Sequence, residues 1–410
     1  MNEYLTLSET AELLGKSKET LRRWDREGKL IAVREPISNY RLYKKSHVLE
    51  LFDEFIDIPD NNSNFVEPNR QYKVLELFAG AGGLAIGLEK AGLKCVALNE
   101  IDKFACQTLR RNRPNWNVLE GDIKDFDFKE YNNKVDVVTG GFPCQAFSYA
   151  GKRLGFEDAR GTLFYEFARA VKEVNPAICI GENVRGLLNH DKGKTLQGMI
   201  SILDEIGYYV VPVEVLKAIY YKVPQKRERL ILVGIRKDIN LSFDYPIPYK
   251  KIYNLEDALK KGELYDCDVP KSIGAKYPES KKTVLDLVPP KGYWRDLPIE
   301  LQKEFMGGSF YLGGGKTGMA RRIGWDEPCL TLTCSPAQKQ TERCHPDETR
   351  PFTVREYARI QTFPDDWEFA GSIAQQYKQI GNAVPVNLAK EVGYSIVKFL
   401  NEYYSLSKPK

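Results

Sequence analysis

The sequence predicts an α/β chain: a Rossmann-like, mostly parallel, doubly wound sheet, joined by a smaller second domain and an N-terminal winged helix-turn-helix. Three observations predict this. Lys73-Val74-Leu75-Glu76-Leu77-Phe78 reads as a buried strand that runs into the glycine turn Ala79-Gly80-Ala81-Gly82-Gly83-Leu84-Ala85 and then an amphipathic helix through Ala91. Strands and helices keep alternating through Ala177-Ile178-Cys179-Ile180 and Leu230-Ile231-Leu232-Val233, as a parallel sheet with covering helices requires. Between Asp238 and Arg350 the alternation gives way to Pro-, Gly- and Lys-containing segments such as Leu312-Gly313-Gly314-Gly315-Lys316-Thr317-Gly318, which mark the smaller domain. The expected organisation is therefore 1–60 for the helix-turn-helix module, 61–71 for a linker, 72–238 for the sheet domain, 239–350 for the second domain, and 351–410 for a segment that returns to complete the sheet domain.

Composition bounds the function. With 410 residues, 42% hydrophobic and 28% charged, the chain is long enough for two or three cored domains and is neither disordered nor fibrous. It has no apolar run near the ~20 residues a bilayer span needs, and Met1-Asn2-Glu3-Tyr4 lacks the pattern of a secretion signal. A cytoplasmic location with no membrane partner is expected. The 8 cysteines are scattered without a C-x-x-C pair and there are 3 histidines, so neither a zinc site nor a disulfide framework is indicated and no metal is expected. A net charge of +4, left by 60 basic and 56 acidic residues, says little about a polyanionic partner; local clustering decides.

One cluster lies near the start. Ser8-Glu9-Thr10-Ala11-Glu12-Leu13-Leu14 makes a short helix, Gly15 turns the chain, and Ser17 is placed to cap a second helix that reaches Glu27 before Gly28. Lys16 to Lys45 holds ten basic residues against four acidic ones. That is the electrostatic footprint of a DNA-binding surface, although a small helical domain with a solvated charged face carries the same pattern. Leu21-Arg22-Arg23-Trp24 and Asn39-Tyr40-Arg41-Leu42-Tyr43 resemble the MerR-type and excisionase-type winged helices. The resemblance implies a second helix in the major groove and a wing along the backbone, with Thr20, Arg22, Arg23 and Arg41 as DNA contacts.

The glycine turn lets the backbone approach an adenosyl or phosphate group, and Glu100, ending the strand Cys95-Val96-Ala97-Leu98-Asn99, can hold ribose hydroxyls. Gly80, Gly82 and Ala85 also satisfy the dinucleotide fingerprint, so a nicotinamide enzyme stays open at this point. Val118-Leu119-Glu120-Gly121-Asp122-Ile123 adds a strand whose terminal carboxylate could bind an adenine amino group.

The chemistry is carried by Gly140-Gly141-Phe142-Pro143-Cys144-Gln145, a turn that presents a thiol at the end of the strand Val135-Asp136-Val137-Val138. Alone, it also describes a tight turn with a half-buried cysteine. Methylating C5 of cytosine requires a soft nucleophile to add first at C6, and a positioned thiolate is that nucleophile. Glu182-Asn183-Val184 follows the strand ending at Ile180, and Gln225-Lys226-Arg227-Glu228-Arg229 precedes another strand. A carboxyl group at N3 makes C6 more electrophilic, and arginine can bind O2 while orienting that carboxyl.

Taken in order, the Phe-x-Gly-x-Gly-Gly, Pro-Cys-Gln, Glu-Asn-Val, Gln-x-Arg-x-Arg and Gly-Asn elements resemble the bacterial cytosine-C5 DNA methyltransferases over about Tyr72 to Val397. The resemblance implies the class I fold dependent on S-adenosyl-L-methionine, with S-adenosyl-L-homocysteine as product. It implies a cofactor pocket made by Phe78, Ala79, Gly80, Gly82, Gly83, Leu84, Glu100, Ile101, Asp122, Ile123, Pro143, Asn382 and Ala383. Cys144 is implied as the nucleophile, Glu182 as the group at N3, and Arg227 and Arg229 as the rest of the cytosine pocket. Gln145 to Thr162 resembles the mobile loop that closes over DNA, giving Gln145 and Arg160 as contacts. The 239–350 domain corresponds to the family's target-recognition region, where Arg321, Arg322 and Arg343 could read guanine edges or hold phosphates. Arg355-Glu356-Tyr357-Ala358-Arg359 resembles the element that supports this region, and a final helix from about Val386 to Tyr404 packs beside the first strand. The substrate partner implied is double-stranded DNA, bound by a monomer. The resemblance is compatible with a cognate restriction endonuclease that forms no stable complex, and with autoregulation through the first module. A tRNA cytosine methyltransferase shares the same catalytic pieces; methyl transfer to tRNA rather than duplex DNA distinguishes it. A regulator with a dead catalytic fold conflicts with the intact set Cys144, Glu182, Arg227 and Arg229.

Overall fold

The computed structural model describes residues 4–13, 18–34, 40–48, 63–143, 162–312 and 316–406. The chain divides into two units, Met1–Ser63 and Asn64–Lys410.

In the first unit, β1 (Tyr4–Thr6), β2 (Ala32–Arg34) and β3 (Arg41–Lys44) form an antiparallel sheet in the order β1-β3-β2. Helices Leu7–Leu13 and Lys18–Arg26 accompany it. Leu21 and Trp24, three apart on one helical face, are buried with Leu30, Tyr43 and Val48. Asp25 joins this helix to both strands: its carboxylate accepts the Ala32 N–H at 2.9 Å and the Arg41 Nε–H at 2.6 Å. Arg41 is thus held within the module, while Arg23 stands exposed on the helix.

In the second unit, five parallel strands take the order β8-β7-β4-β5-β6: β4 (Lys73–Leu77), β5 (Lys94–Glu100), β6 (Val118–Glu120), β7 (Val137–Gly140) and β8 (Ile178–Val184). Every residue of β4 after Lys73 is buried, as expected of a strand covered on both faces. Strand order reverses at β4, with β5 and β6 to one side and β7 and β8 to the other. A crevice therefore opens beyond the carboxyl ends of β4 and β7.

β12 (Glu228–Arg236) contains the apolar run 230–233 and lies antiparallel to β8. It arrives from β10 (Glu214–Lys217) by way of the two-residue β11 (Gln225–Lys226) and pairs with β10 as Lys217↔Glu228, so the chain has turned back on itself. β9 (Tyr208–Val210) also pairs with β12. β7 begins two residues later than the apolar run suggests, because Asp136 serves as a tie. Its carboxylate accepts the Lys73 N–H at 2.7 Å and the Tyr404 hydroxyl at 2.6 Å.

The last helix, Val386–Leu406, packs against the helix Gly83–Lys90 that follows the glycine turn. It also reaches the start of β4, where the Tyr72 hydroxyl donates to Asn401 at 2.7 Å. The sheet core gathers Leu75, Leu77, Val138, Phe142, Phe164, Phe167 and Leu232. Residues between 277 and 344 build a separate cluster around Leu285, Val288, Trp294, Met306 and Met319.

Two of the arginines expected to face DNA lie inside this second region. Arg322 is buried and donates to the carbonyls of Leu285, Val288 and His345 and to the Thr349 hydroxyl. Arg343 is buried too and donates to the carbonyls of Glu342 and Thr331. Both are corrected to internal struts, since a guanidinium engaged with buried carbonyls cannot also reach a base or phosphate. Arg321 pairs with Glu327 at 2.7 Å and donates to the Lys291 carbonyl.

Candidate active site

A cavity of about 770 Å³ occupies the switch point. Of the residues expected at a cofactor, Phe78, Ala79, Gly80, Gly83, Leu84, Glu100, Ile101, Pro143, Asn382 and Ala383 line it. Gly82 sits behind the loop as the left-handed residue before the helix. Asp122 caps the turn Ile123–Asp125, accepting the Lys124 N–H at 3.1 Å, and Ile123 is buried in the core. Cys144, Gln145 and Arg160 lie outside the described residues, as does the side chain of Thr20.

The loop leaving β4 is strained. Phe78 adopts φ 57°, a left-handed conformation costly for a side chain of this size and characteristic of ligand sites. Glu100 holds the loop in place, its carboxylate accepting the N–H groups of Gly80 (2.7 Å), Ile101 (2.9 Å) and Asp102 (2.7 Å). Three of its roughly four acceptor sites are thus taken, leaving about one, on Oε2, for a further donor.

At the other end of the cavity, Glu182 lies within β8 rather than after it, and Arg229 within β12. The antiparallel register pairs Glu182 with Ile231 and Arg229 with Val184. Residues two apart on a strand share a face, so Glu182 and Arg229 become diagonal neighbours. Arg229 Nε stands 2.5 Å from Glu182 Oε1. The reversed strand is thus what builds the pair.

Burial pushes the Glu182 carboxyl up from the ordinary carboxylate range, and the attraction of Arg229 and Arg227 only partly offsets this. Arg227 is 2% exposed, and burial, together with repulsion from Arg229, lowers it to about 9. Its two terminal nitrogens donate to the carbonyls of Leu332 (3.1 Å) and Gly381 (2.8 Å).

This pair sits beside the turn that leads to the thiol. A Cβ on Gly141 would lie 3.0 Å from Glu182 Oε2. Asn183 Nδ2 donates to the Phe142 carbonyl at 2.8 Å. Phe142 and Phe164, on either side of residues 144–161, meet edge to face with ring centroids 5.1 Å apart.

Glu76 belongs to the site although no motif marks it. This residue of β4 lines the cavity, 1% exposed, with Oε2 lacking a partner among the described residues, and burial raises its carboxyl to about 8. The available signal was an acid in the middle of an apolar strand. Lys378 and Gln379, also lining, dock onto the Asp102 helix cap (2.8 Å) and the Thr108 hydroxyl (2.6 Å).

A glycine loop, an acid on the neighbouring strand and a Glu–Arg pair, all at one switch point, define a class I methyltransferase domain, here accompanied by a helix-turn-helix. Residues 72–398 match the C-5 cytosine-specific DNA methylases, and residues 4–55 match a helix-turn-helix domain. The chain belongs to the C-5 cytosine-specific DNA methylases and is a DNA (cytosine-5-)-methyltransferase. It is 63% identical to the Type II methyltransferase M.Eco47II of Escherichia coli over 406 residues, 98% of this chain and 97% of that one. To M.PspPI of Psychrobacter sp. (strain TA137) it is 59% identical, over 95% of each chain. The structure of Entamoeba histolytica methyltransferase EhMeth superposes with a TM-score of 0.55 at 16% identity, covering 81% of this chain and 99% of that chain, a likeness of fold.

Proposed function

We propose that the enzyme transfers a methyl group from S-adenosyl-L-methionine to C5 of a cytosine flipped out of a specific duplex, through a covalent Cys144 adduct, as the methylase of a restriction-modification system. The observation that carries this is the buried Glu182–Arg229 pair, set against the Gly141–Pro143 turn in a cavity whose far end is the glycine loop.

The residues present fit the methyl donor. Phe78 offers a face to an adenine, Glu100 keeps an acceptor site for a ribose hydroxyl, and the unpartnered Glu76 oxygen is available to a polar group of the ligand. Pro143, Asn382 and Ala383 close the same cavity. When bound, the donor supplies an electrophilic methyl on a sulfonium.

The target base must leave the stack before C6 can be reached. Cys144 thiolate forms a bond to C6 while Glu182 protonates or hydrogen-bonds N3, and the C5=C6 π electrons shift so that C5 becomes nucleophilic. C5 takes the methyl group, then loses its proton, and those electrons restore the C5=C6 bond as the thiolate leaves. Arg229 holds Glu182 in place and is positioned for O2. Duplex DNA is the substrate, bound by a monomer, with residues 239–350 choosing the sequence and a cognate endonuclease acting separately.

Labelled-methyl assays on duplex DNA and on tRNA, with bisulfite sequencing of DNA from an expressing host, test this. Transfer to DNA in one fixed cytosine context is expected; transfer to tRNA alone overturns it. The N-terminal module, in this proposal, binds the enzyme's own promoter. Full-length Arg22→Ala/Arg23→Ala protein should then lose salt-sensitive gel-shift binding to that promoter while still methylating, and unchanged binding would remove the regulatory role.

A further inference from the structure

Residues 331–334 form a short beam between the catalytic sheet and the region before it in sequence, held by hydrogen bonds to side chains from several elements. Gln225 is fully buried, and its Oε1 accepts the Leu332 N–H at 3.0 Å while Arg227 donates to the Leu332 carbonyl at 3.1 Å. One peptide segment is therefore gripped on both sides by side chains two residues apart. The Tyr357 hydroxyl donates to the Thr333 carbonyl at 3.1 Å, and the Thr331 hydroxyl donates to the Lys226 carbonyl.

The same grip reaches the cofactor side of the cavity. Arg227 donates its second terminal nitrogen to the Gly381 carbonyl at 2.8 Å. Gln225 Nε2 donates to Gln361 Oε1 at 3.0 Å, and Gln361 Nε2 donates to the Ile380 carbonyl at 2.8 Å. Cys334 Sγ donates to Asn382 Oδ1 at 2.9 Å. At Gly381 the two backbones touch: a Cβ there would lie 2.5 Å from Thr333, so only glycine permits the approach.

We propose that Gln225, Gln361 and Arg227 are positioning residues that couple cofactor binding to target binding by fixing 331–334 and 380–383 as one rigid element. The proposal rests on the reaction proposed above. A ligand against Asn382 and Ala383 and a base against Arg229 and Glu182 each favour the same placement of this element, so each should tighten the other reciprocally. The Gln225–Gln361–Arg227 core of this network is buried, and a buried hydrogen-bonded core has few alternative arrangements of similar energy.

The test is calorimetric titration of S-adenosyl-L-homocysteine into full-length protein, with and without a saturating duplex carrying the bisulfite-identified site. In wild-type protein the duplex should tighten that binding by a factor in the ~5–150 range usual for coupled sites. Gln361→Met, which keeps the volume and removes the two-sided hydrogen bonding, should reduce the factor to below about 2 while leaving duplex-free affinity within about threefold. Gln225→Met, cutting the Leu332 arm, is read the same way should the first variant fold poorly. A wild-type factor of 1, a factor unchanged in the variants, or an equal loss of affinity with and without duplex overturns the proposal. Binding of S-adenosyl-L-homocysteine by wild-type protein without DNA tests the cofactor assignment by itself.

Discussion

Cys144→Ser should abolish methyl transfer, by at least roughly four orders of magnitude in kcat, while cofactor and duplex still bind. A serine hydroxyl is isosteric with the thiol to within the larger radius of sulfur, but it is a much weaker acid and a harder nucleophile, so no anion is available to add to the soft C6 carbon. The turn is held by the Asn183 side chain on the Phe142 carbonyl and by the edge-to-face contact of Phe142 with Phe164, neither of which involves residue 144. Labelled transfer and trapping on 5-fluorocytosine duplex, whose C5 cannot lose a proton, measure the step directly. Wild-type protein should be trapped and the serine variant should not. Turnover by the variant at a tenth of the wild-type rate or more would falsify the nucleophilic role.

The expected sheet was legible because its strands are apolar on both faces and its turns carry glycine, which a sequence displays directly. The pairing that builds the chemistry was less so. Glu182 and Arg229 were expected at strand ends near each other, yet they meet because β12 runs against β8, and direction is set by the hairpin with β10 rather than by any local pattern. Gln225 and Gln361 are 136 residues apart and bond only after folding, so their use as a link had no trace in spacing. Arg322 and Arg343 illustrate the opposite error. Cationic residues in a polar, irregular region read as surface, but that region buries them and engages Arg322 and the terminal nitrogens of Arg343 with main-chain carbonyls. Glu76 is the case where the letter was visible and its meaning was not, because an acid inside a strand becomes informative only when the cavity beside it is known.

Glu182→Gln should lower kcat by roughly 10²–10⁴, the range for a lost general acid, with cofactor affinity unchanged. The amide keeps the size of the side chain and can still face N3, but it has no proton to give. Glu182 is 9% exposed, and burial raises its carboxyl, so the protonated form survives closer to neutral pH than on an ordinary glutamate. The sign follows. A raised acid holds its proton below the shifted value and loses it as pH climbs through that value, so wild-type kcat should fall on the alkaline side wherever the Glu182 proton is required. That alkaline limb should vanish in the glutamine variant. The same reasoning fixes the effect on the folded state: the native protein binds more protons here than the unfolded chain, so this carboxyl erodes stability as pH rises from the ordinary glutamate range through its raised value. Glu182→Gln removes that slope, and it also leaves Arg229 without its anion in a buried site, a loss felt only above the raised value, because below it the wild-type carboxyl is itself protonated. Thermal melts at several pH values against kcat profiles separate the two consequences. An alkaline limb that persists in the glutamine variant would assign the titration to another group and take the proton donor's role away from Glu182.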